Sequence, residues 1–186
     1  MDASHAEQKL FLPTLPLSCM LFRLLYKEFD RIAPAIELAD YNAHIHDDAV
    51  EILNFLDKNI HLTRGDKIVH ATAASALNKL LHTHATLHSS FALSIVLKEI
   101  PHAKGNREAT ELLFSSLEHA AAHSDNGPRL LKAIRTYYPN ARGTARTSLA
   151  LTLARVEKHA EYRLAAQMAA QKLGINIRGV KWRGRE

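Results

Sequence analysis

Between Thr144 and Leu173 thirty residues pass without a glycine or a proline, in a stretch rich in alanine and leucine. Both residue types favour helix and nothing interrupts them, so the segment predicts helix throughout. Upstream, apolar residues recur at three- and four-residue spacing between isolated prolines and glycines, and no alternating run of useful length occurs. Aromatic residues make up only 6% of the chain, which further disfavours sheet. The expected fold is all-α: a helical bundle of six or seven helices with a basic C-terminal helical extension. At 186 residues the chain is long enough for one continuous core.

Pro13 and Pro16 deny helical geometry to residues 1–17, which read as an extended N-terminal arm. Ser18 suits the cap of a helix running to about Ala33, with Leu21, Leu24, Leu25 and Phe29 on one face and Pro34 ending or kinking it. A second helix is expected from about Asn42 to Lys58, burying Ala49, Ile52, Leu53 and Leu56 and turning Asp47, Asp48 and Glu51 outward. After a turn at 59–65, the pattern is helical from Asp66 to Ile100. Ile68, Val69, Ala73, Leu77, Leu80 and Leu81 form one stripe there, and Ser89-Ser90 marks a break. Asn106 begins another helix, and Pro128 suits the first position of a short one that Pro139 stops. Thr144 would cap the long segment, and Gly174 would close it as a left-handed residue. On this reading residues 18–138 form the bundle and 139–186 the basic C-terminal helices.

No stretch of eighteen apolar residues is present, so no transmembrane helix is expected. The opening residues carry Asp2 and Glu7 and are broken by Pro13 and Pro16, unlike a secretory signal. The single Cys19 cannot form an internal disulfide. A cytoplasmic location follows as the expectation. There is no glycine-rich phosphate loop, no cysteine pair for zinc and no internal repeat, and no cofactor is expected.

Charge is the feature that bears on function. Residues 1–125 hold 11 Lys and Arg against 16 Asp and Glu, a net of −5; residues 126–186 hold 13 against 3, a net of +10. Such asymmetry points to a polyanionic partner for the last third of the chain, most often DNA or RNA. The candidate contacts are Arg129, Lys132, Arg135, Arg142 and Arg146, where Tyr137 and Tyr138 interleave aromatic rings with guanidinium groups. A second set is Asn176, Arg178, Lys181, Trp182, Arg183 and Arg185, again with one stacking surface among the charges. The two sets are suited to lining one groove. The expected function is therefore non-enzymatic nucleic-acid binding, with the bundle serving protein partners or a homo-oligomer. The alternative is a small helical subunit of a larger ribonucleoprotein or nucleoprotein effector complex, touching RNA or single-stranded DNA without reading sequence.

The run from Ala169 to Val180 resembles the two-helix unit of Fis-type helix-turn-helix proteins over about twenty residues. Ala170 stands where a small residue lets the helices cross, Gly174 where the turn is made, and Leu173, Ile175 and Val180 where apolar residues lock the angle. The resemblance implies a second helix in the DNA major groove, with Asn176, Arg178, Lys181 and Arg183 facing phosphates or base edges. The chain departs from that pattern at Gly179, where a hydroxyl residue is preferred, and at Gly184, where an apolar one is expected.

Twelve histidines raise metal binding and acid–base chemistry. His84 with His88, and His119 with His123, are spaced to share a helical face, while His44 and His46 precede Asp47 and Asp48. No constellation supplies carboxylates from several helices, so no metal is expected. Arg64 and His70 are similar in spacing to the Arg-x4–6-His motif of HEPN ribonucleases, which are all-helical. That resemblance implies Arg64 stabilising phosphate charge and His70 acting as acid or base in RNA cleavage, the enzymatic alternative.

Overall fold

The computed structural model describes residues 32–43, 49–84 and 88–177. Among these residues there are eight α-helices and four short 3₁₀ turns, and no strand. They are α1 (Ile32–Asn42), α2 (Ala49–Asn59), α3 (Lys67–Thr83), α4 (Ser89–Glu99), α5 (Arg107–Ala120), α6 (Gly127–Tyr137), α7 (Gly143–Lys158) and α8 (Arg163–Leu173). The fold is an all-α bundle, with slightly more helices than the sequence pattern suggests. None of the described helices is long and apolar enough to cross a membrane. The N-terminal arm, the expected helix from Ser18 and Cys19 fall outside the described residues.

The centre of the bundle is α3, which packs on α5 and α1 through Ala73, Leu77, Leu80 and Leu81. In turn α5 packs on α7 and α4, and α7 on α8 and α6. Ile36, Leu53, Leu56, Leu93, Leu113, Leu117, Leu130, Ile134 and Leu149 are all nearly free of solvent contact. One core therefore runs through the bundle segment and the C-terminal helices alike. Ion pairs tie the layers at the rim. Lys79 Nζ reaches Asp40 Oδ2 at 2.7 Å, and Arg155 Nη2 reaches Glu118 Oε1 at 3.0 Å.

Several boundaries follow the sequence signals. The Asp66 carboxylate accepts from the Ile68 and Val69 amides at 2.9 and 3.2 Å and so caps α3. Asn106 does the same for α5, accepting from the Ala109 amide at 3.2 Å. Its side-chain amide also donates to the Lys67 carbonyl at 2.7 Å, clamping the starts of α3 and α5 together. Pro128 stands in the first turn of α6, and Gly174 closes α8 at φ 65°.

Others differ. Pro34 lies within α1 and does not end it. Asn42 ends α1 and does not begin α2. Thr144 is not a cap, since α7 begins at Gly143 after an extended Arg142. Ile68 does not join the α3 stripe: it is 79% exposed, and the residue that the first turn buries is His70. The long Thr144–Leu173 segment is two helices. His159 leaves α7 in an extended conformation, its ring Nε2 meeting the Ala121 carbonyl at 2.8 Å.

Candidate nucleic-acid interface

The apolar side of α6 buries Leu130, Leu131, Ala133 and Ile134, which leaves Lys132, Arg135 and Thr136 exposed. Pro139 then converts the helix end into a 3₁₀ turn, Tyr138–Asn140, that carries the chain into α7. Three adjoining hollows lie along this corner, two of them against the 100–106 loop and the third between α4 and α6. The central one, about 630 Å³, is walled by Ile100, Pro101, Phe114 and Tyr137, with Lys104 and Arg142 also in its lining. A second, about 440 Å³, shares Gly105, Thr110, Arg142 and Ala145 with it and adds Arg107. The third, about 370 Å³, shares Thr136 and Tyr137 and adds Leu97, Arg129 and Lys132. Shared linings make the three one furrow.

Five cations line this furrow against one carboxylate, Glu111, whose Oε1 lies 2.8 Å from Arg107 Nε. Arg129 spends its donors on α4: Nη1 on the Ser90 carbonyl at 3.0 Å and Nη2 on the Ser94 hydroxyl at 2.8 Å. Those partners are neutral, so the arginine pins α6 to α4 and keeps its charge. Tyr137 stands at the junction of two hollows, edge-on to Phe114 with ring centroids 5.8 Å apart. Beside the furrow, the Arg146 guanidinium lies 4.5 Å above the buried Tyr138 ring, which fixes an exposed cation on α7.

The fold thus gathers Arg129, Lys132 and Arg142 in one furrow with Arg146 next to it. Arg135 is exposed on α6 outside the furrow lining, and Asn176 is exposed beyond α8. Arg178, Lys181, Trp182, Arg183 and Arg185 lie outside the described residues, as does Val180 of the helix-turn-helix resemblance. Of the residues named for that resemblance, Leu173 ends the eleven-residue α8, Ala170 and Ile175 are buried, and Gly174 is left-handed. Lys104 and Arg107 escaped the sequence reading. They sit in the acidic part of the chain, and only the packing of α5 on α7 brings them to Arg142. The run Lys104-Gly105-Asn106-Arg107, whose two cations are exposed where the loop meets α5, was the available signal.

Arg64 and His70 do meet, on a residue the sequence reading did not single out. Arg64 Nη2 and Nε donate to Glu99 Oε1 and Oε2 at 2.7 and 3.1 Å. His70 Nε2 lies 3.6 Å from Glu99 Oε2, too far for a good hydrogen bond. Burial alone would raise the Glu99 carboxyl, but the approach of His70 and the bonds and charge of Arg64 outweigh it and hold it down at about 2. His70 and Glu99 are each only 2% exposed, so the cluster faces the interior and the Arg64 charge is matched within the protein.

The histidine pairs are not on shared helical faces. His84 follows the end of α3 and His88 precedes α4; His123 lies beyond the end of α5. Helical spacing fails because each pair spans a helix end. The pair that does form is His82 on α3 with His119 on α5, Nδ1 to Nδ1 at 3.4 Å. Burial, His82 and Arg155 hold the His119 ring down to about 4, hence neutral at physiological pH. Among the described residues no group of three or more His, Cys, Asp or Glu is placed to hold a metal ion; His44, His46, Asp47 and Asp48 lie outside them. Compared with protein families, characterised proteins and solved structures, the chain finds no match.

Proposed function

We propose that this protein binds nucleic acid through the furrow between the Ile100–Asn106 loop and the α6–α7 corner, without catalysing a reaction on it. The observation that carries the reading is the company of Lys104, Arg107, Lys132 and Arg142 along one furrow, with the single carboxylate Glu111 among them. These groups come from opposite sides of the point where chain charge changes sign, so their assembly is a product of the fold. Lys and Arg neutralise phosphates and release counterions, which makes such binding fall steeply with salt. Arg146 extends the same face, and among the C-terminal residues Arg178, Lys181, Arg183 and Arg185 supply further phosphate contacts and Trp182 a stacking surface. The remaining bundle surface is free to engage protein partners, as in a subunit of a nucleoprotein complex.

Fluorescence anisotropy of mixed-sequence DNA and RNA across a salt series tests this. The expected result is a linear fall of log affinity with log salt, whose slope drops by about 1–2 when Lys132 and Arg142 are both changed to glutamine. Binding that ignores salt, or no binding at all, refutes the proposal.

A further inference from the structure

The furrow is basic at its rim and apolar within. Its central hollow, about 630 Å³, is of the size that seats small planar ligands, and Ile100, Pro101, Phe114 and Tyr137 give it apolar and aromatic walls. Lys104 and Arg142 belong to the same lining, and Lys132 follows in the next hollow, across Thr136 and Tyr137. A surface built only for phosphates has no need of such walls. A duplex hides the flat faces of its bases in the stack and offers only edges and backbone, so it cannot fill a concave apolar hollow without extruding a base. A single strand presents phosphates and unstacked rings together, at alternating positions along one chain. The edge-on contact with Phe114 holds the Tyr137 ring as a wall between two of the hollows. Other flat apolar ligands fit the walls, yet the cations along the whole furrow require a partner with repeated negative charge.

From this juxtaposition we infer that the furrow takes single-stranded nucleic acid, seating a base in the central hollow against Tyr137 while Lys104, Lys132 and Arg142 hold the flanking phosphates. The inference rests on the nucleic-acid reading above and narrows it to a strand state and a seat. Non-specific stacking tolerates any base, so little sequence preference is expected.

The experiment uses the full chain and four labelled oligonucleotides of one length: single-stranded DNA, single-stranded RNA, the corresponding duplex, and a single strand with abasic sites that keeps every phosphate. Single strands should bind at least about tenfold tighter than duplex, and the abasic strand should lose about five- to hundredfold, as expected for lost base stacking. The DNA and RNA arms identify which strand the furrow prefers. Tyr137→Leu should weaken the normal single strand and leave the abasic one unchanged. If that variant fails to fold, the comparison of probes on the unaltered chain still decides. Equal binding of duplex and single strand, or of abasic and normal strand, overturns the base seat while leaving nucleic-acid binding intact. Failure of all four probes to bind overturns both.

Discussion

Replacing Glu99 by glutamine keeps the shape of the side chain and removes its charge, and the structure sets the cost by two routes. The first is titration. The Glu99 carboxyl is held at about 2 against an ordinary 4.5, and that difference is equivalent to ~3 kcal/mol of folding free energy at neutral pH. The second is contact chemistry. Removing one member of a buried ion pair costs ~3–5 kcal/mol, but the Arg64 side chain is 34% exposed and regains water when its partner is neutral, which lowers the figure. Both routes converge on ~2–3 kcal/mol. For a chain of this size that shifts the unfolding midpoint by roughly 5–10 °C.

The same variant has a pH signature. Because the folded-state value is depressed, the contribution of Glu99 is complete above the unfolded value of 4.5 and is lost as pH falls toward 2. Urea unfolding followed by circular dichroism should show a gap of ~2–3 kcal/mol between the natural chain and Glu99→Gln near neutrality. That gap should close progressively below pH 4.5, whatever other carboxylates do, because they are common to both proteins. A gap below about 0.5 kcal/mol at neutral pH, or one that does not narrow with acid, refutes the ion-pair account.

Two further outcomes follow from the packing. At Gly127 an added Cβ would lie 2.5 Å from Cε2 and 2.9 Å from Cγ of Tyr162. Gly127→Ala should therefore destabilise by ~1–2 kcal/mol, the overlap outweighing the gain in helix propensity. A thermal-melt double-mutant cycle should find that cost largely gone in a Tyr162→Ala background; an undiminished cost would mean the ring is not responsible. His119 is held down to about 4 against an ordinary 6.5, so the unfolded chain takes up its proton first and folding weakens as pH falls between those values. With screening at a partly exposed ring, the loss is ~1–2 kcal/mol. His119→Gln should flatten stability over that window in a denaturation series, and an unchanged acid slope would count against it.

The legible part of this fold was its local chemistry. Asp66, Asn106, Pro128 and Gly174 each act through the backbone within a few residues, so their roles could be read before any packing was known. The breaks without glycine or proline were not readable in this way. His159 ends α7 while its ring meets the carbonyl of Ala121, thirty-eight residues away, and nothing near it in sequence announces that contact. Ile68 obeys the spacing of its stripe yet is exposed in the first turn, since periodicity marks a face without saying how far the neighbour extends along it. At the candidate site, charge counting found Arg129, Lys132, Arg142 and Arg146 because they share a basic segment. It passed over Lys104 and Arg107 for the converse reason. Glu99, a carboxylate at the end of a largely apolar helix, carried a signal, since a charge beside Ile95, Val96 and Ile100 calls for a partner and the adjacent Lys98 is taken by Asp57.

The buried ion cluster and the furrow are linked through α4. At its C-terminal end Glu99, fixed by Arg64, directly precedes the Ile100–His102 turn that supplies Ile100 and Pro101 to the central hollow. Near its start Ser90 and Ser94 hold Arg129, and with it α6, the helix that carries Lys132 and Tyr137. One helix thus sets both walls, and the clamp from Asn106 to Lys67 fixes the far end of the loop between them. The cations and the aromatic wall are therefore mounted on a braced frame, which on the proposed reading leaves little ordering entropy to be spent on binding. The interior cluster of Arg64, His70 and Glu99 thus braces the turn that forms one wall of the furrow.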